Sequence, residues 1–238
     1  MIKGLLLDYG GTIDTNGVHW GELFWTMYQR YHIPVSAEAF RQAYVFGEKA
    51  LALQPLVKPE YSFYETLQAK LHQQFDYLQA AGFLSASYNT QPSILAIAKA
   101  CDDYAKQCIA KAKPVLEALA EVCPMVLVSN FYGNVNAVLE AYCIRHLFQA
   151  VVESSVVGVR KPSPQIFTLG VNALGLLPGE CAAIGDSYRK DILPAKEAGC
   201  YTVWLKGEGW EDDPTDAVAA DKIITAFEEL LFLSKGKT

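Results

Sequence analysis

A carboxylate directly follows a short apolar run near the start of the chain. Residues Leu5 to Asp14 read Leu-Leu-Leu-Asp-Tyr-Gly-Gly-Thr-Ile-Asp. A carboxylate at the end of a buried strand can act as a nucleophile, because it can attack phosphorus and form a covalent intermediate. The two glycines after it form a turn in which the backbone can approach an anion closely. Asp8 is therefore the first candidate for chemistry.

Three further polar groups follow or flank apolar runs later in the chain. Ser129 and Asn130 offer a hydroxyl and an amide that can bind phosphoryl oxygens. Lys161 stands just before a proline and can neutralise a transferring phosphoryl group. Asp186 follows another apolar run and carries the hard oxygen atoms that Mg²⁺ prefers. Asp191 is either a further ligand, a supporting carboxylate, or a charge placed favourably at a helix N-terminus.

These candidates are far apart in the sequence, so only the fold can bring them together. Short apolar runs predict five strands, and helical patterns lie between the later ones. Alternating strands and helices indicate an α/β fold with a doubly wound parallel sheet, whose ligands bind at the carboxyl ends of the strands. The predicted strands are Ile2–Leu7, Met125–Val128, Ala150–Val152, Cys181–Ile184 and Tyr201–Leu205.

The segment between the first two strands shows only helical periodicity and is rich in Tyr and Phe. We therefore predict a small all-helical cap domain over residues 16–109 and a core domain over residues 1–15 and 110–238. The aromatic residues either pack the helices together or line a pocket, and the first interpretation is preferred. At the helix ends we expect Ser36 and Ser163 to act as N-caps, Pro114 to lie in a first turn, and Thr225 to Glu228 to form a capping box.

Together, the four motifs resemble those of the haloacid dehalogenase (HAD) superfamily over essentially the whole chain. The resemblance implies a Rossmann-like core, a helical cap inserted after the first strand, and Mg²⁺-dependent hydrolysis of phosphate esters through an aspartyl-phosphate. It implies Asp8 as nucleophile, Lys161 as a catalytic charge, and Thr12, Ser129 and Asn130 as groups around the substrate, with Thr12 orienting the nucleophile. It also implies metal binding by the following four residues: Asp8, the carbonyl of Gly10, Asp186 and Asp191.

The chain departs from this resemblance at Gly10, where the phosphatases of the superfamily carry a second Asp. That Asp protonates the leaving oxygen and then activates water, and glycine can do neither. We expect slow turnover of alkyl phosphates and a smaller penalty for acyl or activated aryl phosphates. His19 is the candidate to replace the missing group, because a histidine can transfer protons near neutral pH. Asp14 is interpreted as structural.

Other functions stay open because of Gly10. The chain could be a phosphate- or metabolite-binding protein that has lost turnover. A 2-haloacid dehalogenase is less favoured for two reasons that the resemblance supplies. Those enzymes carry Tyr at the position of Gly10, whereas Tyr9 stands one position earlier. They also use no metal, whereas the Gly-Asp-Ser motif around Asp186 is of the metal-binding type. A phosphonoacetaldehyde hydrolase would need a Schiff-base lysine in the cap, for which Lys49 is the candidate.

Composition sets broad limits on the function. The chain has 238 residues, a formal charge of −6 and 51% hydrophobic residues, which fits a protein with a real core and gives no basic stripe for nucleic acid. No apolar stretch is long enough to span a membrane, and the N-terminus does not read as a signal peptide. Six scattered cysteines without a Cys-x-x-Cys pair indicate buried thiols in a reducing cytoplasm. The expected partner is a small phosphorylated metabolite.

Overall fold

A six-stranded, all-parallel sheet forms the centre of the protein in a computed structural model that describes residues 1–207 and 218–234. The strand order is β3-β2-β1-β4-β5-β6, so the chain leaves β1 in one direction and later returns to its other side at β4. This topology confirms the predicted doubly wound α/β fold. The strands are β1 (Gly4–Leu7), β2 (Met125–Ser129), β3 (Ala150–Glu153), β4 (Cys181–Gly185), β5 (Tyr201–Leu205) and β6 (Lys222–Ile224).

Four long helices separate β1 from β2, as the helical periodicity predicts. They are α1 (Trp20–Arg30), α2 (Ala37–Leu53), α3 (Phe63–Ala80) and α4 (Thr90–Ala120). The Ser36 hydroxyl accepts a hydrogen bond from the Ala39 N–H and so caps α2, as expected. The later helices are α5 (Val135–Ala141), α6 (Ser154–Val157), α7 (Gln165–Leu174) and α8 (Leu193–Glu197), and a π-helical turn over Tyr188–Ile192 precedes α8.

Alternate residues of the central strand enter two different hydrophobic clusters. Leu5 and Leu7 belong to a large cluster that includes the long helices, whereas Leu6 packs with α7 on the other face of the sheet. Both faces of β1 are therefore covered, which is why it reads as an uninterrupted apolar run. This burial fixes the strand that carries Asp8 at its end.

Several local predictions are wrong. Pro114 lies inside α4 rather than in a first turn, because the 31-residue helix continues through it despite losing one backbone hydrogen bond. Helix α7 begins at Gln165, directly after Pro164, so Ser163 is not its cap residue. The carboxylate that caps the 3₁₀ helix Phe227–Leu233 is Glu229, which accepts from the N–H of Thr225, rather than Glu228.

The aromatic residues of α1, α2 and α3 agree with both interpretations of their role. Tyr28 packs between Phe40 and Phe75, with ring centroids 4.8 and 5.3 Å away, and is fully buried. Tyr44 and Phe63 pack against neighbouring rings and also line a cavity at the carboxyl ends of the strands. The aromatic residues therefore pack the helices together, and some of them also line a cavity.

Further expectations concern the domain division and the cysteines. Helix α4 runs without interruption through the proposed boundary at residue 110, so the division into cap and core stays a prediction. The six cysteines are free thiols; Cys143 is exposed, contrary to the expectation of burial, and Cys108 is half-buried. Among the described residues, no helix is long and apolar enough to span a membrane.

Candidate active site

A cavity of about 470 Å³ lies at the carboxyl ends of the central strands and is also lined by residues of α2 and α3. Asp8 follows β1, Ser129 ends β2 and Asp186 follows β4, and the parallel register places these three strand ends side by side. All of the predicted site residues except Thr12 line the cavity: Asp8, Gly10, His19, Ser129, Asn130, Lys161, Asp186 and Asp191.

Lys161 forms a buried bridge between two carboxylates. Its Nζ lies 2.5 Å from Asp8 Oδ1 and 2.6 Å from Asp191 Oδ1, and all three side chains are at least nine-tenths buried. Burial alone would lower the pKa of Lys161, but the charges of Asp191 and Asp8 raise it, so the ammonium stays charged. Burial raises the pKa of Asp8 to about 6 although Lys161 opposes the shift. Asp8 is therefore largely ionised at neutral pH.

Thr12 connects the nucleophile candidate to the second acidic motif. Its hydroxyl lies 3.2 Å from Asp8 Oδ2 and 3.1 Å from Asp186 Oδ1. Gly11 makes this close approach possible, since a Cβ built on it would lie 2.3 Å from Asp186 Oδ2 and its φ is +95°. Thr12 thus fits the predicted orienting position, but it contacts carboxylates rather than the cavity.

Asp8, Asp186 and Asp191 fit a divalent cation. Each offers an oxygen within 4.8 Å of the others. Burial raises the pKa of Asp186 well above its usual range, and the nearby charges of Asp191 and Asp8 raise it further. Lys161 supplies one positive charge for these three acids, so the cluster is short of positive charge. Hard carboxylate oxygens in such a cluster are the ligand set that Mg²⁺ prefers.

Asn130 clamps the backbone of Lys161. Its Oδ1 accepts from the Lys161 N–H at 2.9 Å, and its Nδ2 donates to the Lys161 carbonyl at 3.1 Å. These two hydrogen bonds hold the backbone of Lys161 in place from the end of β2, which Asn130 directly follows. The predicted contact of Asn130 and Ser129 with a phosphoryl group stays a prediction; Ser129 is buried at the cavity wall.

Comparison with known proteins identifies the family. The sequence profile of the haloacid dehalogenase-like hydrolases matches residues 2–199. The chain belongs to this family.

Two curated relatives of this HAD-like hydrolase are phosphatases. The glyceraldehyde 3-phosphate phosphatase of Methanopyrus kandleri is 41% identical over 69 residues, which cover 29% of this chain and 30% of that protein. The phosphoserine phosphatase of Thermus thermophilus is 37% identical over 71 residues, covering 30% of this chain and 28% of that protein. The matches thus span less than a third of these curated relatives.

Solved structures of other proteins match this HAD-like hydrolase over its whole length. The L-2-haloacid dehalogenase from Xanthobacter autotrophicus superposes with a TM-score of 0.62 at 16% identity, and the alignment covers 100% of both chains. At this identity the likeness shows the shared fold and leaves the reaction open. Tyr9, the residue weighed above for a dehalogenase, is fully buried and packs edge-on against Phe63 and Phe131.

The HAD-like hydrolase accommodates Gly10 without strain and has room for a side chain there. A Cβ at this position would meet only the indole of Trp20, at 3.9 Å. The same indole donates from Nε1 to Asp14 Oδ2 at 3.0 Å, and the Gly11 N–H donates to Asp14 Oδ1 at 2.7 Å. Asp14 therefore holds the turn together, as predicted, and burial raises its pKa to about 8.

His19 lines the cavity but is already part of a helix cap. Its Nδ1 accepts a hydrogen bond from the Gly21 N–H at 3.0 Å, so the neutral ring carries its proton on Nε2. Burial, with the charge of Lys190, lowers the pKa of His19 to about 4. In this tautomer Nε2 donates a proton to the cavity. Nε2 could accept a proton only if its own proton moved to Nδ1, which would break the helix cap. Proton transfer by His19 therefore stays a prediction, and the helix cap and the lowered pKa argue against it.

The sequence interpretation missed several polar residues of the cavity wall, among them Glu48, Lys70 and Tyr132. Lys70 occupies the buried side of α3 together with Leu67, Leu71 and Gln74. A lysine on the apolar stripe of an amphipathic helix is the signal that could have identified it, because such a charge is retained only with a partner.

Proposed function

We propose that this protein is a Mg²⁺-dependent phosphohydrolase that acts on a small phosphorylated metabolite through an aspartyl-phosphate at Asp8. The proposal depends most on one observation: the Asp8 carboxylate lies between Lys161 and Thr12 at the base of the cavity, with two further acids close enough to share a cation. The phosphatase names of the two curated relatives support the same reaction type.

The first step is attack of an Asp8 oxygen on phosphorus. The Asp8–phosphorus bond forms as the ester P–O bond breaks, and the leaving oxygen takes the electron pair. Lys161 neutralises charge on the nucleophile and on the phosphoryl oxygens, while Thr12 holds the carboxylate in place. Asp8, the Gly10 carbonyl, Asp186 and Asp191 would hold Mg²⁺, which supplies additional positive charge when bound.

The second step is attack of water on the phosphoenzyme, which releases inorganic phosphate and restores Asp8. Both steps lack the acid–base group that Gly10 has replaced. General acid–base help is typically worth ~10²–10⁴ in rate, or about 2.7–5.4 kcal/mol. Acyl and activated aryl phosphates have leaving groups that need little protonation. We therefore assign such activated phosphates as the better substrates and a long-lived aspartyl-phosphate as the characteristic state.

Acetyl phosphate with Mg²⁺ tests the proposal directly. The expected result is a phosphoryl adduct on Asp8, found by mass spectrometry of the intact protein and its peptides. Asp8→Asn is the matched control, since it keeps the size of the side chain and removes the nucleophile. Absence of both the adduct and phosphate release in the unsubstituted protein would refute the aspartyl-phosphate mechanism.

A binding protein without turnover is the second candidate function, and the missing carboxylate at Gly10 favours it. It predicts that a non-activated phosphate ester binds in calorimetry only when Mg²⁺ is present and is recovered unchanged. Hydrolysis of the bound ester within hours would exclude this function.

A further inference from the structure

A second cavity, of about 170 Å³, lies outside the site described above. It is bounded by the segment that follows the catalytic turn, by helix α4 and by the 3₁₀ helix Phe227–Leu233. None of its lining residues lines the Asp8 cavity, and the proposed reaction uses none of them. Sites for drug-sized ligands typically measure ~300–1,000 Å³, so this cavity fits a smaller molecule.

Hydrogen bonds fix the position of one wall of this cavity. The Asn16 Oδ1 accepts from the Phe227 N–H at 2.9 Å, which joins the segment after the catalytic turn to the 3₁₀ helix. The Gly17 N–H donates to the Gly11 carbonyl at 2.7 Å, which joins the same segment to the turn after Asp8. The shape of the cavity is therefore set by the fold itself.

The lining of the cavity divides into an apolar floor and a polar rim. Ile13, Ala112 and Phe227 are buried and form the floor. Lys111 and Glu228 are exposed and stand at the rim. Such a lining can cover a short hydrocarbon chain while its edge presents two opposite charges to whatever group remains outside.

The two rim charges are not used by the fold. Among the residues that the structure describes, neither Lys111 nor Glu228 has an ion-pair partner. Both act on the half-buried thiol of Cys108, which also lines the cavity. Burial raises the pKa of this thiol, the charge of Lys111 opposes the shift and the charge of Glu228 adds to it. Both charges therefore lie around the same small space.

The chemistry of the lining decides which molecule it can bind. The Lys111 ammonium donates to a carboxylate, and the Glu228 carboxylate accepts from an ammonium group. A phosphate ester is a poor match, because it would meet one cation and would be repelled by Glu228. A neutral apolar molecule would leave both charges unused. The matching ligand carries one negative and one positive group on a short apolar chain.

We propose that this cavity binds a small aliphatic α-amino acid. Its carboxylate pairs with Lys111 and its ammonium group pairs with Glu228. Its side chain lies on the apolar floor. The inference does not rest on the proposed function, because it involves no residue of the Asp8 cavity.

Three matched ligands test whether both charges are read. Calorimetry would compare L-valine with 3-methylbutanoate, which lacks the amino group, and with 2-methylpropylamine, which lacks the carboxylate. L-Alanine and L-leucine extend the comparison to a shorter and a longer side chain. We expect L-valine to bind about 5-fold more tightly than either analogue, because only L-valine pairs with both charges at the exposed rim.

Two charge-removing variants should act on different ligands. Lys111→Met should weaken the binding of L-valine and 3-methylbutanoate by about 5-fold and leave 2-methylpropylamine unchanged. Glu228→Gln should weaken L-valine and 2-methylpropylamine by about 5-fold and leave 3-methylbutanoate unchanged. Lys113→Met is the matched control, because it removes a charge from the same helix outside the cavity and should change none of the affinities.

Alkylation of Cys108 by iodoacetamide locates the bound ligand independently. L-Valine at about ten times its dissociation constant should slow this alkylation by about 10-fold, because only the unoccupied cavity exposes the thiol. Peptide mass spectrometry measures the rate at each cysteine. Cys143 is the internal control, since it is exposed and does not line the cavity, and its rate should stay the same.

The inference is overturned if none of the three amino acids binds, or if either analogue binds as tightly as L-valine. Binding that is insensitive to both Lys111→Met and Glu228→Gln, or that leaves the alkylation of Cys108 as fast as before, would place the ligand elsewhere and also overturn it. The crossed response of the two variants locates the ligand even if Cys108 reacts slowly in the free protein.

Discussion

Gly10→Asp is expected to turn the protein into a faster phosphatase for alkyl phosphates. The structure has space for the new side chain, since the added Cβ would be 3.9 Å from the Trp20 indole. This is an ordinary van der Waals distance. The new carboxyl would project into the cavity that Asp8 and Asp186 already line. It would therefore be placed beside the leaving oxygen of a bound ester.

The magnitude follows from two opposing effects. Acid–base assistance is worth ~10²–10⁴ in rate. Two features limit the gain. The Trp20 N–H already donates to Asp14 and is not available to orient the new carboxyl, and the nearby acids Asp8, Asp186 and Asp191 oppose its ionisation. We therefore expect the lower end, about 10²-fold or 2.7 kcal/mol, for kcat on glycerol 3-phosphate. Acetyl phosphate should gain less than about 10-fold, because its leaving group needs little protonation.

Steady-state phosphate release from both substrates measures the effect. Gly10→Asn is the matched control, since it fills the same space without a titratable group. An equal acceleration by Asn, or an equal gain for acetyl phosphate, would mean that the side chain acts by packing and not by proton transfer. An unchanged rate on the alkyl ester would refute the reasoning about the missing acid.

Three further outcomes are expected. Lys161→Gln should lower the free energy of unfolding by about 3–5 kcal/mol in Mg²⁺-free urea titrations, because it leaves buried acids unpaired. Lys99→Gln, which breaks an exposed pair with Asp103, should cost less than about 1 kcal/mol. His19→Asn keeps an N-cap acceptor for α1. The parent protein should lose stability as pH falls from about 6.5 to about 4, because His19 binds a proton in the unfolded chain but not in the native state, and His19→Asn should remove this loss. The same substitution should change the rate of phosphate release by less than about 10-fold. Asp14→Asn should remove a stability loss of up to about 1.4 kcal/mol per pH unit as pH rises from about 4 to about 8, because the native carboxyl retains its proton longer than the unfolded one. Thermal unfolding across pH checks both profiles, and variant profiles that parallel the parent would contradict them.

Elements of the fold could be predicted where neighbouring residues in the sequence determine them, and not where contacts between distant residues do. The run around Leu6 is continuous and followed by a carboxylate, so both the strand and Asp8 could be predicted from neighbouring residues. Strand β6 has only three residues, two of them exposed, and carries no apolar periodicity that a sequence could reveal. Pro114 misled the prediction because tertiary packing of a long helix outweighs the loss of one hydrogen bond.

The cavity wall was less predictable than the catalytic loop because its contacts cross between elements. Asn130 is held by Lys161, and Lys70 is paired with Glu48 from another helix. No spacing within one element encodes such pairs. Only the anomalous position of a lysine on an apolar helix face could have pointed to the second of them.

The lack of a carboxylate at Gly10 has consequences for binding as well as for proton transfer. Asp8, Asp186 and Asp191 already outnumber the charge of Lys161, so a fourth carboxylate would increase the repulsion of an incoming phosphate dianion. Glycine removes that repulsion together with the proton-transfer group. Gly10→Asp should therefore raise the dissociation constant for a phosphate ester while it raises kcat. A hydrolase of activated phosphates and a phosphate-binding protein both gain from the glycine, and they differ in whether the aspartyl-phosphate ever forms.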